Sequence, residues 1–600
     1  MDAYMTALLN LKGRVRGRFG PLVLRSKDAS WAGSGSPVFD IRDEAAVRRV
    51  VDLVAAGDFA HLPPLQTLKA LFACVEHQKL LWESYRELRL DRVVIDEATA
   101  RVLAVILRSR LCRCRRLSLY RCSFTDAGRN ILFSALSMMA EHALPPHRSG
   151  PADLGDDGSG GDTAPMGLHS LELCQIGLAD KGCAGLDAVL EAQPHLQTLS
   201  LRDNLIGPKG AGQLVGALRR GCPKLRALDL AGNRLRSQGV QHLAGYLASP
   251  GQALESLDIG GNNVSLAGVQ GLVRALCSGR CAALRRLDIS TNQIGIGGCE
   301  LLAHMLGRNT SLEQLAVAHN NIFDDGCGRL FAGLAGNTTL RTLDVGGNFI
   351  AHAGARAIGR YMGAGPRGAP AERAHAGLQR GLRSLNVSFN PLGDEGLRAV
   401  CRGLCANRHL TDLVANNIGA TNGGARALRE LLEAGSGRPT SLLTLSLREN
   451  TRLTLRGIEE LASGAARSRH ILRIAADLQF DGWRAAWSKA EAALVRNTVL
   501  AMERYWAPLL MVARGRILLR DRWHPTGHTA PGIGRLPLDI RRCIVEALDT
   551  HRVLKPDQRH RATKIASDMG RRFASRHALL EEILGGDYPF VVEIMRAVNS

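Results

Sequence analysis

One periodicity governs what this chain can fold into. The segments LQTLSLRDNLIGPKGAGQLVGAL, LRALDLAGNRLRSQGVQHLAGYL, LESLDIGGNNVSLAGVQGLVRAL and LRTLDVGGNFIAHAGARAIGRYM align without a gap. Counting each unit from the second leucine of its opening string gives Leu88, Leu117, Leu171, Leu199, Leu228, Leu257, Leu287, Leu315, Leu343, Leu385, Leu413 and Leu445. Most intervals are 28–30 residues, the exceptions being 54 after Leu117, 42 after Leu343 and 32 after Leu413. A period of this size signals stacked like units. A single core would in any case stop growing well short of 600 residues.

Each fixed offset has a physical reading. Leu228, Leu230 and their equivalents alternate with polar or small residues, as the inward side of a short strand does. Five residues past the index stands Asn204, Asn233, Asn262, Asn292, Asn320, Asn348, Asn390 or Asn450, whose amide suits a buried turn with backbone groups left to satisfy. Cys122, Ile176 and Ile418 depart from this rule, so altered or weaker turns are expected there. At offset eleven stands glycine, from Gly128 through Gly182, Gly210 and Gly239 to Gly424. Apolar pairs four apart follow, such as Leu214 with Leu218 and Leu272 with Leu276, and they mark one helical face. Each unit is therefore a strand, a turn and a helix. It cannot bury both apolar sides alone, so neighbours must stack, with strands expected on the concave side of a curved array.

These residues resemble the ribonuclease-inhibitor-like class of leucine-rich repeats, an architecture shared with Ran GTPase-activating proteins, tropomodulin and NOD-like receptors. The resemblance spans about residues 83–480. It implies an α/β solenoid of about 12 strand–helix repeats and a role in binding protein. The partner is left open, because the class binds many unrelated ones.

The flanks divide by composition. Residues 1–36 read as a basic flexible tail, with Lys12, Arg14, Arg16, Arg18, Arg25 and Lys27 and no acid between Asp2 and Asp28. Residues 37–82 read as a helical N-terminal cap and 481–519 as a helical C-terminal cap, the latter carrying Trp483, Trp487 and Trp506 to cover an open repeat end. Gly- and Pro-rich residues 520–535, which include Trp523, read as a linker, and 536–600 as a small helical module. Its Leu536-Pro537 with Ile540, Ile544 and Leu548 resembles the opening of an F-box. Insertions at 142–167 and 363–381, and a shorter one at 434–441, each fall between a helix and the next strand.

The net charge of +21 raises the question of nucleic acid. Lys and Arg minus Asp and Glu give 22 − 14 = +8 for residues 1–130, 35 − 29 = +6 for 131–479 and 20 − 13 = +7 for 480–600. The excess is spread rather than gathered in one recognition domain, which leaves the basic N-terminus as the one candidate polyanion arm. No secretory h-region and no run of 18 apolar residues occur, so the 14 cysteines read as reduced thiols of a cytoplasmic or nuclear protein. Cys183, Cys299 and Cys327 share one repeat position and read as small buried fillers.

Catalytic signatures are missing. There is no GxxxxGK[ST] loop, HExxH, GxSxG or strand-borne GxGxxG, and the histidines have no metal-ligand spacing. The expectation is a non-enzymatic scaffold without cofactor or metal. A Ran-type GTPase activator is disfavoured by a basic C-terminus and the lack of a recognisable insertion-borne arginine. A phosphatase regulator is disfavoured by the absence of an [RK]-x-[VI]-x-[FW] string. The candidate binding residues lie one past the index leucines, namely Glu172, Asp229, Asp258, Asp288 and Asp344, beside a small row of Ala231, Gly260, Ser290, Ala318 and Gly346. On neighbouring strands these acids would form an exposed ladder suited to a basic partner. The competing reading is that the recurring L-D-L stabilises turns.

Overall fold

The computed structural model describes residues 22–25, 87–108, 114–139, 167–364, 381–434, 441–477, 484–488, 490–494 and 497. They fall into two compact units, the first essentially Met1–Asn348 and the second essentially Phe349–Ser600.

In the first unit the principal strands are β1 (Leu22–Arg25), β2 (Glu87–Asp91), β4 (Arg116–Tyr120), β6 (Ser170–Cys174), β7 (Thr198–Ser200) and β8 (Ala227–Asp229). They continue with β9 (Ser256–Asp258), β10 (Arg286–Asp288), β11 (Gln314–Ala316) and β12 (Thr342–Asp344). All pair in parallel and in chain order. Two short strands, β3 (Val94–Ile95) and β5 (Ser123–Phe124), pair with each other. Helices α1 (Glu97–Arg108), α2 (Asp126–Met138), α3 (Asp180–Glu191) and α4 (Pro208–Gly221) alternate with the strands. So do α5 (Arg236–Leu247), α6 (Leu266–Cys277), α7 (Gly295–Leu306) and α8 (Phe323–Leu334).

The index leucines define the register. Leu88 is the partner of Leu117, Leu117 of Leu171, Leu171 of Leu199, and so on through Leu343. All are buried against the helix row. The segment Leu22–Arg25 corrects one expectation: within the presumed flexible tail these four residues form a strand beside β2, with Leu22 opposite Leu88.

Buried asparagines tie each turn to its neighbours. The Asn262 amide donates to the carbonyls of Leu230 (2.9 Å) and Ile259 (3.0 Å), while its oxygen accepts from Leu235 N–H at 3.2 Å. Its own N–H donates to Asn292 Oδ1 at 3.0 Å. One side chain thus satisfies groups in two repeats where no water reaches. The exceptions keep the backbone half of this ladder, since Ile176 N–H donates to Asn204 and Ile418 N–H to Asn450 of the following repeat, as Asn262 N–H does to Asn292. Cys122 stands in with long Sγ contacts of 3.6 Å to the Leu90 and Tyr120 carbonyls.

The offset-eleven glycines have a steric cause. The first helical turn lies on the apolar side chain four residues earlier. A Cβ at Gly268 would sit 2.6 Å from Val264 Cγ1, and one at Gly298 would sit 2.7 Å from Ile294 Cβ. A second set of tight positions, four past the index, carried no signal in the sequence. Arg121, Gln175, Asp203, Thr291 and His319 there have φ of 53–55°, as do Gly232, Gly261 and Gly347 at 62–66°. Cys183, Cys299 and Cys327 are fully buried. Burial pushes the Cys183 and Cys299 thiols up to about 12, so they pack as neutral fillers.

The second unit repeats the plan with β13 (Ser384–Asn386), β14 (Asp412–Val414), β15 (Thr444–Ser446) and β16 (Arg473–Ala475), all parallel, with Leu385, Leu413, Leu445 and Ile474 in register. Its helices are α9 (His352–Ala364), α10 (Gly393–Leu404), α11 (Asn422–Ala434) and α12 (Leu455–Arg467). Beyond β16 the chain is helical at 484–488, 490–494 and 497. There Trp487 is buried, and Asn497 donates to the carbonyls of Ser468 and Ile471, both at 2.9 Å. The segments assigned to an N-terminal cap, the linker and the F-box-like string lie outside the described residues, as do Trp483, Trp506 and Trp523.

Candidate binding face

Residues one past each index leucine alternate away from the core and line one face of the first unit's sheet. Parallel pairing sets Asp229 directly beside Asp258, and Asp258 beside Asp288. The three carboxylates therefore stand on adjacent strands, about 4.8 Å apart in the ladder direction. Glu172 and Asp344 lie on the same row but outside the run. Ser200 separates Glu172 from Asp229, and Ala316 separates Asp288 from Asp344.

The carboxylates are less exposed than the sequence suggested. The Asp229 and Asp258 side chains retain 29% and 28% of their accessible surface. Asp288, Asp344 and Glu172 are likewise half-buried. The reason is local. One oxygen of each aspartate accepts the backbone N–H two residues on, from Ala231 (3.0 Å), Gly260 (2.9 Å), Ser290 (2.8 Å) and Gly346 (2.8 Å) respectively. The side chain bends down over the strand end to satisfy a donor the ladder leaves over. Turn stabilisation and a row of negative charge thus belong to the same residues. Glu172, one methylene longer, accepts instead from Ser118 Oγ at 2.9 Å.

Arg202 completes the cluster, and sequence reasoning missed it. It occupies the row that over the following repeats reads Ala231, Gly260, Ser290, Ala318 and Gly346, so its signal was a charged residue bordering that run of small ones. Its guanidinium donates to Asp258 Oδ2 at 3.2 Å and lies 3.8 Å from Asp229 Oδ1 and 3.9 Å from Asp203. The second oxygen of Asp229 accepts from Ser200 Oγ at 2.9 Å. Burial raises the Asp258 carboxyl pKa, and the adjacent Asp288 and Asp229 charges add to this, against the Gly260 N–H and Arg202. The small row keeps the floor open. A Cβ on Gly260 would stand 3.3 Å from both Asp258 Oδ1 and the Ser290 carbonyl.

Among the described residues, no group of three or more His, Cys, Asp or Glu is placed to hold a metal ion. No described helix is long and apolar enough to cross a membrane.

The Leucine Rich repeat family model matches residues 192–215, 221–244, 252–273, 308–331, 336–359 and 381–401. The chain is 32% identical over 142 residues to NACHT, LRR and PYD domains-containing protein 3 of Bos taurus, a match covering 23% of this chain and 14% of that protein. Against the Homo sapiens protein of the same name it is 33% identical over 129 residues, 21% of this chain and 12% of the relative. The chain thus spans a small part of the length of those relatives. Among solved structures it is similar to an internalin of Listeria monocytogenes, with TM-score 0.34 and 16% identity, covering 72% of this chain and 94% of that one. The C-terminal domain of tropomodulin from Caenorhabditis elegans gives TM-score 0.22 at 14% identity, covering 36% and 98%. With the sequence period, the leucine register and the matched repeats in agreement, the chain carries an array of leucine-rich repeats in which parallel strands alternate with helices.

Proposed function

We propose that the sheet face of the first unit docks a basic segment of a partner protein, with Asp229, Asp258 and Asp288 as its centre. Repeats of this class suggest a protein-interaction domain, and the acidic row supplies the chemistry of the partner. The observation that carries the reading is the direct register of the three carboxylates on adjacent strands, next to a row too small to cover them. Their spacing suits Lys or Arg side chains laid across the strands. Glu172 and Asp344 would extend the negative field one strand beyond a neutral neighbour on each side. Arg202 would mark one edge and discourage a cation from settling on Asp229.

The scaffold has no chemical step of its own in this reading. The GTPase-activator alternative gains no support from the described residues, and the F-box-like string lies outside them.

The test uses the full chain and a labelled peptide of alternating Lys and Gly, followed by fluorescence anisotropy. Replacing all three aspartates by lysine would also remove the turn hydrogen bonds, so the informative variant is Asp229→Asn with Asp258→Asn and Asp288→Asn. An amide oxygen can still accept the same backbone N–H, as Asn386 does from Ser388 at 3.0 Å in the second unit. The triple variant should melt like the parent and lose the peptide. Undiminished binding by a folded triple variant would move the contact elsewhere.

A further inference from the structure

The helix side of the second unit carries a feature that the acidic face does not explain. Helices α9 and α10 approach each other through glycine. A Cβ on Gly403 would run into the Gly359 carbonyl, and one on Gly359 into the Ala399 carbonyl. So close a crossing leaves an open groove of about 630 Å³ above the glycines, walled by Arg356, Arg360 and Arg402. Arg356 and Arg360 lie one helical turn apart on α9, and Arg402 faces them from α10.

A groove of this geometry also forms in the first unit, so its shape follows from the repeat. Between α5 and α6 a groove of about 450 Å³ has the same repeat offsets along its walls. There Gln241 and Gly245 stand where Arg356 and Arg360 stand, and Arg274 matches Arg402. Shape is common to the two sites, whereas the three guanidiniums belong to one.

Several arginines of the helix row meet a carboxylate on a neighbouring helix. Arg220 meets Glu191 at 2.6 Å, Arg329 meets Glu300 at 2.7 Å, and Arg429 meets Glu460 at 2.5 Å. Among the described residues, no carboxylate lies within ion-pair distance of Arg356, Arg360 or Arg402. Three like charges line one concave site, and none is paired with a described carboxylate. That arrangement favours an anion that accepts forked hydrogen bonds.

We propose that this groove binds a phosphorylated side chain of a partner protein. A phosphate brings close to two negative charges and three acceptor oxygens, which matches guanidinium donors arriving from two walls. The glycine floor lets the group and its peptide approach the helix backbones. An extended polyanion fits less well. Glu395, two turns before Arg402 on α10, and Glu430 on α11 are both exposed and interrupt any longer basic track. A membrane surface would leave the depth of the groove unused.

The experiment uses the full chain and a short labelled Gly/Ser peptide carrying one phosphoserine, with the unphosphorylated and Glu-substituted peptides alongside. The phosphopeptide alone should bind, and inorganic phosphate should compete it away. The double variant Arg356→Glu/Arg402→Glu should weaken binding at least about tenfold, and Arg356→Lys/Arg402→Lys should weaken it less, since an ammonium cannot form the fork. Adding Gln241→Arg and Gly245→Arg to the double Glu variant should restore binding through the first unit's groove. All these positions are at the surface, so melting temperature checks that each variant is folded. Equal affinity for the unphosphorylated peptide, indifference to the Glu variant, or failure of the transplanted arginines would overturn the proposal. So would a preference for vesicles containing phosphoinositide, or for RNA, over the phosphopeptide.

Discussion

Arg202 reaches past Asp229 on its neighbouring strand to donate to Asp258 at 3.2 Å, one strand further on. The reach makes the acidic row asymmetric. At the Arg202 end two carboxylates share a cation, while Asp288 at the other end has no cation within ion-pair distance among the described residues. Removing the guanidinium should therefore strengthen rather than weaken attraction for a basic peptide. Arg202→Ala is expected to raise the affinity for the Lys/Gly peptide several-fold at low salt, with the gain shrinking as salt screens it. Anisotropy titrations at two ionic strengths check this, and a loss of affinity would place Arg202 among the partner's contacts.

Asp258 offers a pH test. Its folded-state pKa is raised by burial and by Asp288 and Asp229. Above the folded value the carboxylate is ionised in both states, and its unfavourable setting destabilises the fold. As pH falls from the folded value to the unfolded one, the folded state takes up the proton first and stability is regained. Asp258→Asn keeps the acceptor for Gly260, so it should match or exceed the parent at neutral pH and lack this rise on acidification. Asp258→Ala removes the acceptor and should cost about 1 kcal/mol. Denaturant melts between neutral and mildly acidic pH distinguish the three proteins.

Much of this architecture was legible in the sequence because it recurs. Leucines at a fixed period became Cα partners without exception from Leu88 to Leu343, and from Leu385 to Leu445. What escaped was work done by residue types that vary. At offset four the backbone is left-handed whether the residue is Gly232, Asp203 or His319, so no composition marks it. A second buried amide set, Asn309, Asn337 and Asn407 at helix ends, was too sparse to stand out. Each accepts the N–H three residues on, from Leu312, Leu340 and Leu410, all at 2.8 Å. Arg202 was hidden because its partners are 27 and 56 residues away. Only the register brings them together.

The turn ladder should be sensitive to a single atom exchange. Asn262 is fully buried and both donates and accepts across the repeat boundary. Asn262→Asp would replace the donating amide by a carboxylate facing the Leu230 and Ile259 carbonyls. The expected loss is about 3 kcal/mol or more, because the acceptors are orphaned and a charge is buried. Asn262→Ala should cost less, since it leaves donors and acceptors unmet but adds no charge. Chemical denaturation that finds Asp the milder change would contradict this hydrogen-bond assignment.

Leu272 tests the helix register. It is buried in α6 at 3% exposure, and Leu272→Asp would place a carboxylate against the strand row at a cost of several kcal/mol. Stacked repeats interact mainly with their neighbours. Hydrogen exchange should therefore first lose protection in α5, α6 and α7 and last in α3. A variant that melts like the parent would mean that the helical face has been assigned wrongly.

Thr291 is the most strained of the offset-four residues, a β-branched side chain held at φ 55° where Gly232, Gly261 and Gly347 sit at 62–66°. The left-handed region costs an ordinary residue about 1–2 kcal/mol, and a branched Cβ makes the crowding worse. The turn persists because its N–H donates to the Ala318 carbonyl at 2.7 Å, and because the Asn292 that follows is locked in the amide ladder. Thr291 is itself exposed, so replacing it removes no core contact. Thr291→Gly should therefore stabilise the protein by about 1 kcal/mol, after the extra unfolded-state entropy of glycine offsets part of the relief. The reverse exchange, Gly261→Thr, should destabilise it by a similar or larger amount, since a Cβ there also comes within 3.4 Å of the Gly232 nitrogen. Paired thermal melts decide the matter. A Thr291→Gly variant no more stable than the parent would show that the threonine makes a compensating interaction in the turn, and the same variant's affinity for the Lys/Gly peptide would then report whether that interaction serves the neighbouring acidic row.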